Sequence, residues 1–471
     1  MLKASTKRKI EYFYMGRLYP LLVCAAVFLG YRFGIEVFLL PVVVLFACGA
    51  FWLCSSVRPL IAPLCMFLFA FSNGNSMFGE VGSDYYLTGW RIVVFGILVV
   101  FAAVSLIAFL KKNMYVEKLL YRKTPLLGAL LLLSAAFMLN GVMSASWEIG
   151  NIIYGSLQVL AFLIIYVIFY HGFSDFESAD ELGDYFSYIT MLLSLLLISE
   201  MVTLFLTSPG VIENGQIIKS EIVFGWGVCN NAGFYIAVLI PMNFYGAYRS
   251  RLPIVQFTVA TATLVAAVLT LSRNAFLWSC TIYVFCLVCL MFFGNKRIFF
   301  RYAALTMVLC FGVFFLRYHE AIMTALTNYT LQGADDSGRF EIWRQAFEKF
   351  REAPIFGNGF HAELQTGVQT ASFIPTMAHN TVFQLLFSMG IVGFAAYAIY
   401  RIRTLMLFLH RPSMLKTMLG ASMIVLLGAS MLDNFIFHVQ PIFYYSIAMV
   451  IACKKDREDK VSFLLLKKNR R

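Results

Sequence analysis

The chain has 471 residues, of which 60% are hydrophobic and 13% charged, against about 25% charged in an ordinary soluble domain. That balance excludes a water-soluble globular enzyme, and the net charge of +12, which in a soluble chain would suggest nucleic acid, is read here as a report of membrane topology. The ten cysteines imply no disulfide framework, since most lie inside apolar runs; Cys286 and Cys289 form a CxxC within a span, with no second pair or histidine cluster to complete a metal site.

The basic start, Lys3, Lys7, Arg8 and Lys9, leads into an apolar run from Leu18 without a small-residue cleavage site, so it reads as the cytoplasmic flank of a first span rather than as a signal peptide. Crossing the hydrocarbon core takes about 20 apolar residues. Runs of that order fall at 18–34, 36–54, 58–72, 89–110, 125–144, 150–170, 185–207, 231–248, 253–271, 275–294, 298–317, 380–400, 415–432 and 439–453, the third of them short and bearing Pro59 and Pro63. The expected architecture is an all-α integral membrane protein with about 12–14 transmembrane helices. Residues 1–471 read as a single polytopic membrane domain, without internal repeats, interrupted by one long loop at 318–379.

With the N-terminus inside, the inward segments hold Lys111, Lys112, Lys118, Arg122 and Lys123; Arg249 and Arg251; Lys296, Arg297 and Arg301; Arg401, Arg403, Arg411 and Lys416; and the basic tail 454–471. This asymmetry places both termini in the cytoplasm and the loop 318–379 on the extracytoplasmic side. Residues 171–184 disagree, carrying Asp175, Glu177, Asp180, Glu181 and Asp184 without a Lys or Arg, but acidic residues count little in the rule. Attraction to anionic inner-leaflet lipid accounts for the positive charge, and no nucleic-acid partner is expected.

Ionisable groups at the edges of spans are the informative ones, because burying charge in a membrane costs several kcal/mol unless something holds it. Arg273 lies in Ser272-Arg273-Asn274, a polar interruption between two apolar runs, where it either grips a ligand or snorkels to a lipid phosphate. In the loop, Ser337-Gly338 opens a helix that Pro354 stops. Phe340, Trp343, Ala346 or Phe347, and Phe350 recur along it at helical spacing to give one apolar face. Such an amphipathic helix would lie along the membrane surface or cap the spans beneath. Arg339 occupies its first turn, where the helix dipole opposes a cation, so stability alone gives no reason for an arginine there. Pro354-Ile355-Phe356-Gly357-Asn358-Gly359 follows as a tight turn, which lacks the strand and helix context of a phosphate-binding loop. The loop ends at Ala378-His379-Asn380. His379 stands at a helix N-terminus, where the dipole favours a neutral ring suited to a general base, although a capping or interfacial role fits the same position. His319 and His361 have no comparable setting.

In this order, Ser-Arg-Asn at 272–274, Gly338-Arg339 with Trp343, the turn at 354–359, and His379-Asn380 before a span containing Gly390 and Gly393 resemble the O-antigen ligase and polymerase superfamily, the match being concentrated in residues 270–400. The resemblance implies an inverting GT-C glycosyltransferase in the bacterial cytoplasmic membrane, acting at its outer face without a metal or other cofactor. It implies an undecaprenyl-pyrophosphate-linked glycan as donor, and a glycan, lipid or protein as acceptor. A flippase or chain-length regulator would be an associated partner. Carried onto this sequence, Arg273 and Arg339 grip the pyrophosphate, His379 activates the acceptor hydroxyl, and Asn380 and Trp343 join the substrate site. A repeat-unit polymerase is the leading expectation and a ligase of finished glycan the second. Three alternatives stay open at this stage: Asp335 and Asp336 as a cation site or base, Glu341 or Glu363 as the base, and a lipid-linked sugar transporter in place of an enzyme.

Overall fold

The computed structural model describes residues 4–33, 35–70, 89–113, 124–174, 177–208, 210–213, 216–224, 227–331, 338–364 and 378–454. Asp335, Asp336, Ser337 and nearly all of the basic tail lie outside them. The described chain is almost wholly helical: α1 Ala4–Met15, α2 Leu18–Phe33, α3 Glu36–Leu53, α4 Ile61–Ala70, α5 Trp90–Asn113, α6 Leu127–Met143, α7 Ile149–Gly172 with a wide π turn at Leu160–Ile164, α8 Ala179–Thr207, α9 Cys229–Arg249, α10 Pro253–Leu269, α11 Arg273–Phe293, α12 Arg297–Leu331, α13 Arg339–Glu352, α14 Thr381–Leu409, α15 Met414–Ala429 and α16 Val439–Cys453. Between α8 and α9 lie two small antiparallel hairpins, Ile212–Glu213 with Gln216–Ile217 and Val223–Phe224 with Gly227–Val228.

Six of these helices are long and apolar enough to cross a membrane; α1 and α2 form a bent pair that adds a seventh, and five shorter apolar helices accompany them. The chain is a multi-pass, all-α membrane protein, as its composition requires. The helix at the centre, α9, is not among those spans, yet nearly all its side chains are buried. A helix buried on every face belongs to a bundle's interior. It can be less apolar than its neighbours because they satisfy its polar groups: Asn243 Nδ2 donates to Ser194 Oγ at 2.8 Å, and the Val238 carbonyl accepts from Ser422 Oγ at 3.0 Å. By contrast α5 and most of α12 present apolar side chains outward, as lipid-facing helices do. The expected loop 318–379 begins at an irregular residue, Tyr318, within α12, and its first part continues as helix to Leu331.

The feature that shapes the site is a break in α14. Gly390 has φ +64° and ψ −163°, which no helix accommodates, so carbonyls before the break and N–H groups after it lose their helical partners. The turn 354–359 replaces them. Asn358 N and Gly359 N donate to the Phe387 and Ser388 carbonyls at 2.9 and 3.0 Å, and the Pro354 and Ile355 carbonyls accept from Ile391 N and Val392 N at 2.9 and 3.2 Å. Ala145 N and Ser146 N, just beyond α6, hold the same turn through the Gly357 and Asn358 carbonyls at 3.0 and 3.3 Å, while the Asn140 amide donates to the Phe356 and Ser388 carbonyls. Backbone satisfaction of this kind is what permits an interrupted helix in a membrane protein.

The other end of the segment, Thr381, is bonded to Ser430 beyond the end of α15. Residues 381–389 are therefore tied at one end to the residue after α15 and at the other to the end of α6, and these ties mark one face of the bundle. We call this the site face. Gly357 is indispensable to the arrangement: it has φ +75°, and a Cβ there would stand 2.4 Å from the Ser388 carbonyl carbon. Gly357→Ala should lower stability by at least about 1–3 kcal/mol, read as a fall in thermal midpoint of the purified protein. Gly128→Ala in α6, where a Cβ meets nothing within 4 Å, should not.

Candidate functional site

The turn after α15 is the junction. Three consecutive carbonyls on it are gripped by two separate sequence motifs. Asn274 Nδ2 donates to Ala429 O at 2.9 Å; Thr381 N and Oγ1 donate to Ser430 O at 3.0 and 2.9 Å; Asn380 Nδ2 donates to Met431 O at 2.8 Å. The segments bearing Arg273 and His379, more than a hundred residues apart in sequence, are thus fixed to one short piece of backbone.

Arg273 is the first residue of α11, whose N-cap, Ser272, accepts from Ala275 N. Its position is set by close packing on either side: a Cβ on Gly233 of α9 would come within 2.5 Å of both Thr270 and Ala275, and Gly428 of α15 leaves space that the Trp278 indole fills. Asn380 is the N-cap of α14, its Oδ1 accepting from Val382 N and Phe383 N at 2.8 and 3.2 Å. Both polar ends of that amide therefore bind protein.

Trp343 ties α13 to the same place. Its Nε1 donates to the Ala378 carbonyl at 2.9 Å, and its ring stacks on Phe383 at 5.5 Å and 12°. The packed face of α13 is made by Ile342, Trp343 and Ala346 against Ala378, Phe383 and Phe387. Phe340 and Phe347, which the sequence pattern groups with Trp343, are exposed, Phe340 meeting the Trp343 ring edge-on at 5.3 Å. Arg339 begins the helix after Gly338 in a left-handed conformation, the start and end of α13 falling where Gly338 and Pro354 place them.

At the centre, His379 Nδ1 lies 3.0 Å from Asp433 Oδ1. Burial pushes the Asp433 carboxyl up, but the bond to His379 and the charges of His379, His438 and Arg339 outweigh it and hold the group below its ordinary value of 3.8. Asp433 is therefore ionised at neutral pH. A carboxylate only accepts, so Nδ1 carries the proton and Nε2 of the neutral ring is left with a free lone pair. The His379 side chain is 39% exposed and that of Asp433 13%, so the imidazole is reachable while its carboxylate partner is enclosed. His379 also has φ +50°, a left-handed backbone held in place by the bonds around it.

Further groups complete this enclosure. Gln384 Oε1 accepts from Ala378 N at 2.8 Å and from Asn434 Nδ2 at 2.6 Å, and Asn434 N donates to Asp433 Oδ1 at 3.1 Å. His438 lies behind Asp433 with its Nδ1 3.0 Å from Tyr235 OH. Burial holds His438 below its ordinary value, the nearby Asp433 pulling the other way.

Of the residues singled out by sequence, the structure brings Arg339, Trp343, His379 and Asn380 together and places Arg273 at the other side of the same turn. His361 is elsewhere, bonded to Asn151. Glu341 is ion-paired to Arg344 at 2.6 Å; bonds to Arg344 and Gln345 hold its carboxyl down to about 2, which makes it a weak base. Asp433, His438 and Gln384 escape the sequence reading. The available signal was an acid at the end of an apolar run, Leu432-Asp433-Asn434, where a charge calls for a partner.

Residues 257–398 match the O-antigen ligase family. The matched segment contains Arg273, Arg339, Trp343, His379 and Asn380 and stops short of Asp433. The likeness to that family is confined to this segment of the chain. No curated protein matches it significantly. The matched segment thus holds His379 and both arginines, while Asp433, to which His379 is bonded, lies beyond it.

The depressed carboxyl carries a pH signature. Its stabilisation is fully present above the unfolded carboxyl's value and is lost as pH falls through the lower folded one. A charge-assisted bond of this kind contributes about 1.5–3 kcal/mol. The difference in thermal midpoint between the wild type and Asp433→Asn should be largest near neutral pH and close in acid below the ordinary aspartate range. A pH-independent difference would contradict the ionised pair.

Proposed function

We propose that this membrane enzyme transfers a glycan from an undecaprenyl-pyrophosphate carrier to a sugar hydroxyl, polymerising repeat units of a surface polysaccharide at the outer face of the bacterial cytoplasmic membrane. The observation that supports this most strongly is the bond between His379 Nδ1 and Asp433, which leaves an accessible basic nitrogen in an environment made cationic by Arg339, with Arg273 anchored to the same turn.

The chemistry follows from these groups. A sugar hydroxyl is a poor nucleophile until a base takes its proton. Nε2 of His379 accepts that proton as the hydroxyl oxygen bonds to the anomeric carbon, and the bond from that carbon to the pyrophosphate oxygen breaks. The lipid pyrophosphate leaves with the electron pair, and the single displacement inverts the anomeric centre. Asp433 stabilises the imidazolium as it forms. Negative charge grows on the leaving pyrophosphate, where guanidinium forks bind bidentately. Arg339 and Arg273 take that role, while Trp343 and Asn380 act by holding α13 and the His379 turn in register.

His379→Ala should lower transfer about 10²–10⁴-fold, the range of a positioned base, without loss of membrane insertion. Arg273→Lys or Arg339→Lys should cost about 10²–10³-fold, because a point charge does not replace the fork. Transfer by purified protein from a synthetic lipid-linked donor measures both, and full activity in His379→Ala would remove the histidine as base. The family's description favours a second acceptor, the lipid or other end-point of an O-antigen ligase. Gel analysis of lipid-linked glycans in a deletion strain separates the readings: single repeat units accumulate if a polymerase is lost, long chains if a ligase is lost. Protein that moved a labelled lipid-linked sugar across vesicles without extending or transferring it would be a transporter, contrary to both.

A further inference from the structure

One buried amide joins the two halves of the His379–Asp433 pair. Gln384 of α14, 1% exposed, accepts through Oε1 from Ala378 N at 2.8 Å and from Asn434 Nδ2 at 2.6 Å. Ala378 immediately precedes His379 and Asn434 immediately follows Asp433, so the two segments that carry the pair meet on a single oxygen. A backbone N–H only donates, which fixes the amide with its oxygen toward Ala378. The other end, Nε2, donates to Ser388 Oγ at 2.7 Å. Ser388 is itself anchored at the helix break, where its carbonyl accepts from Gly359 N at 3.0 Å and from the Asn140 amide. Ala378, Asn434 and Ser388 are fully buried, away from bulk water.

We propose that Gln384 is a positioning residue for the transfer: it sets how the His379 imidazole and the Asp433 carboxylate stand to each other and ties both to the break at Gly390. The inference rests on His379 acting as the base of that reaction. Stability gives no reason for an amide at this position, because buried polar groups replaced together by apolar ones of the same shape often leave stability unchanged. Nor does local structure require it. Asn380 caps α14, and the turn 354–359 meets the backbone groups freed at Gly390. What Gln384 adds is the second half of a bracket. Asn380 and Thr381, just after His379, are bonded to Met431 and Ser430, just before Asp433. The Gln384 amide makes the complementary tie, before the base and after the carboxylate, so that neither segment can pivot about the other. It also helps to hold His379 at φ +50°, a conformation that persists only where its surroundings over-determine it. Ala378 is gripped at both polar groups for that purpose, its N–H by Gln384 and its carbonyl by Trp343 Nε1 at 2.9 Å.

The test reads the pair without a glycan, so it speaks to Gln384 whether or not the protein transfers one. The full chain with ¹⁵N-labelled histidine is placed in bilayers, and solid-state NMR reads the two ring nitrogens of His379. Gln384→Met keeps the length of the side chain and removes the acceptor; Gln384→Glu keeps an acceptor for Ala378 N and Asn434 Nδ2. The preference for a proton on Nδ1 should be lost in Gln384→Met and kept in Gln384→Glu. An unchanged preference in Gln384→Met overturns the proposal. Loss in both variants overturns it as well, since shape rather than the shared oxygen would then be what matters. Asn434→Ala, which removes one of the two donors to Oε1, provides the same reading should Gln384→Met not fold; it should weaken the preference, and no change would overturn the proposal. In the transfer assay Gln384→Met should lower kcat about 10²-fold, the cost of an ångström of misplacement, with little change in KM. That loss should shrink in an Asp433→Asn background, because both changes act through one bond; a full additional loss there would make the role of Gln384 independent of the pair.

Discussion

A helix interrupted inside a membrane protein leaves carbonyls and N–H groups that water does not reach, and the site face is organised around meeting that demand at Gly390. Four backbone hydrogen bonds from the turn 354–359 replace the ones that α14 loses there. Their consequence is directional. The stretch 381–389 is set apart from the rest of its helix at Gly390, and its N-terminus is bonded to the turn after α15. The same bonds hold the end of α13, and the helix that carries Arg339 and Trp343 is thereby kept beside the segment that carries His379. One defect in one helix fixes the relation of two.

The second organising element is the short backbone from Ala429 to Asn434. It is a receiver, presenting three carbonyls in succession to Asn274, Thr381 and Asn380, and then a carboxylate to His379. The asparagines of the Ser-Arg-Asn and His-Asn motifs are the ties that bring the neighbouring arginine and histidine to a common place. Charge is balanced on the same few residues. Asp433 is enclosed, and burial alone would favour its neutral form; His379, His438 and Arg339 together reverse that. Its carboxylate is available to orient an imidazole because the bond from His379 and the charge of Arg339 favour its ionised form.

Composition and the length of the apolar runs made the all-α membrane class legible, and the start of α13 at Arg339 followed from Gly338 and its stop from Pro354. The positions of Arg273, Arg339 and His379 were readable from local exceptions to apolar patterning, and the structure gathers them. What could not be read was long range. The glycines at 357 and 359 marked a turn, but its partner is a break some thirty residues on, and nothing local to either segment names the other. Phe340, Trp343, Phe347 and Phe350 share one spacing on α13, and which of these rings packs inward is decided by Phe383 and Ala378, far away in sequence. Asp433 was not legible because it lies between two later helices, with nothing in its own sequence to name His379 as its partner.

The account rests on the orientation of one imidazole, and its tautomer can be observed directly. Solid-state NMR of the protein with ¹⁵N-labelled histidine in bilayers, the His379 signals identified by their absence in His379→Gln, reads the protonation of each ring nitrogen. For the neutral ring the account predicts a proton on Nδ1 and a bare, accepting Nε2, with that preference lost in Asp433→Asn. A neutral ring bearing its proton on Nε2 would contradict it, since the nitrogen that faces the substrate would then have no lone pair with which to act as a base.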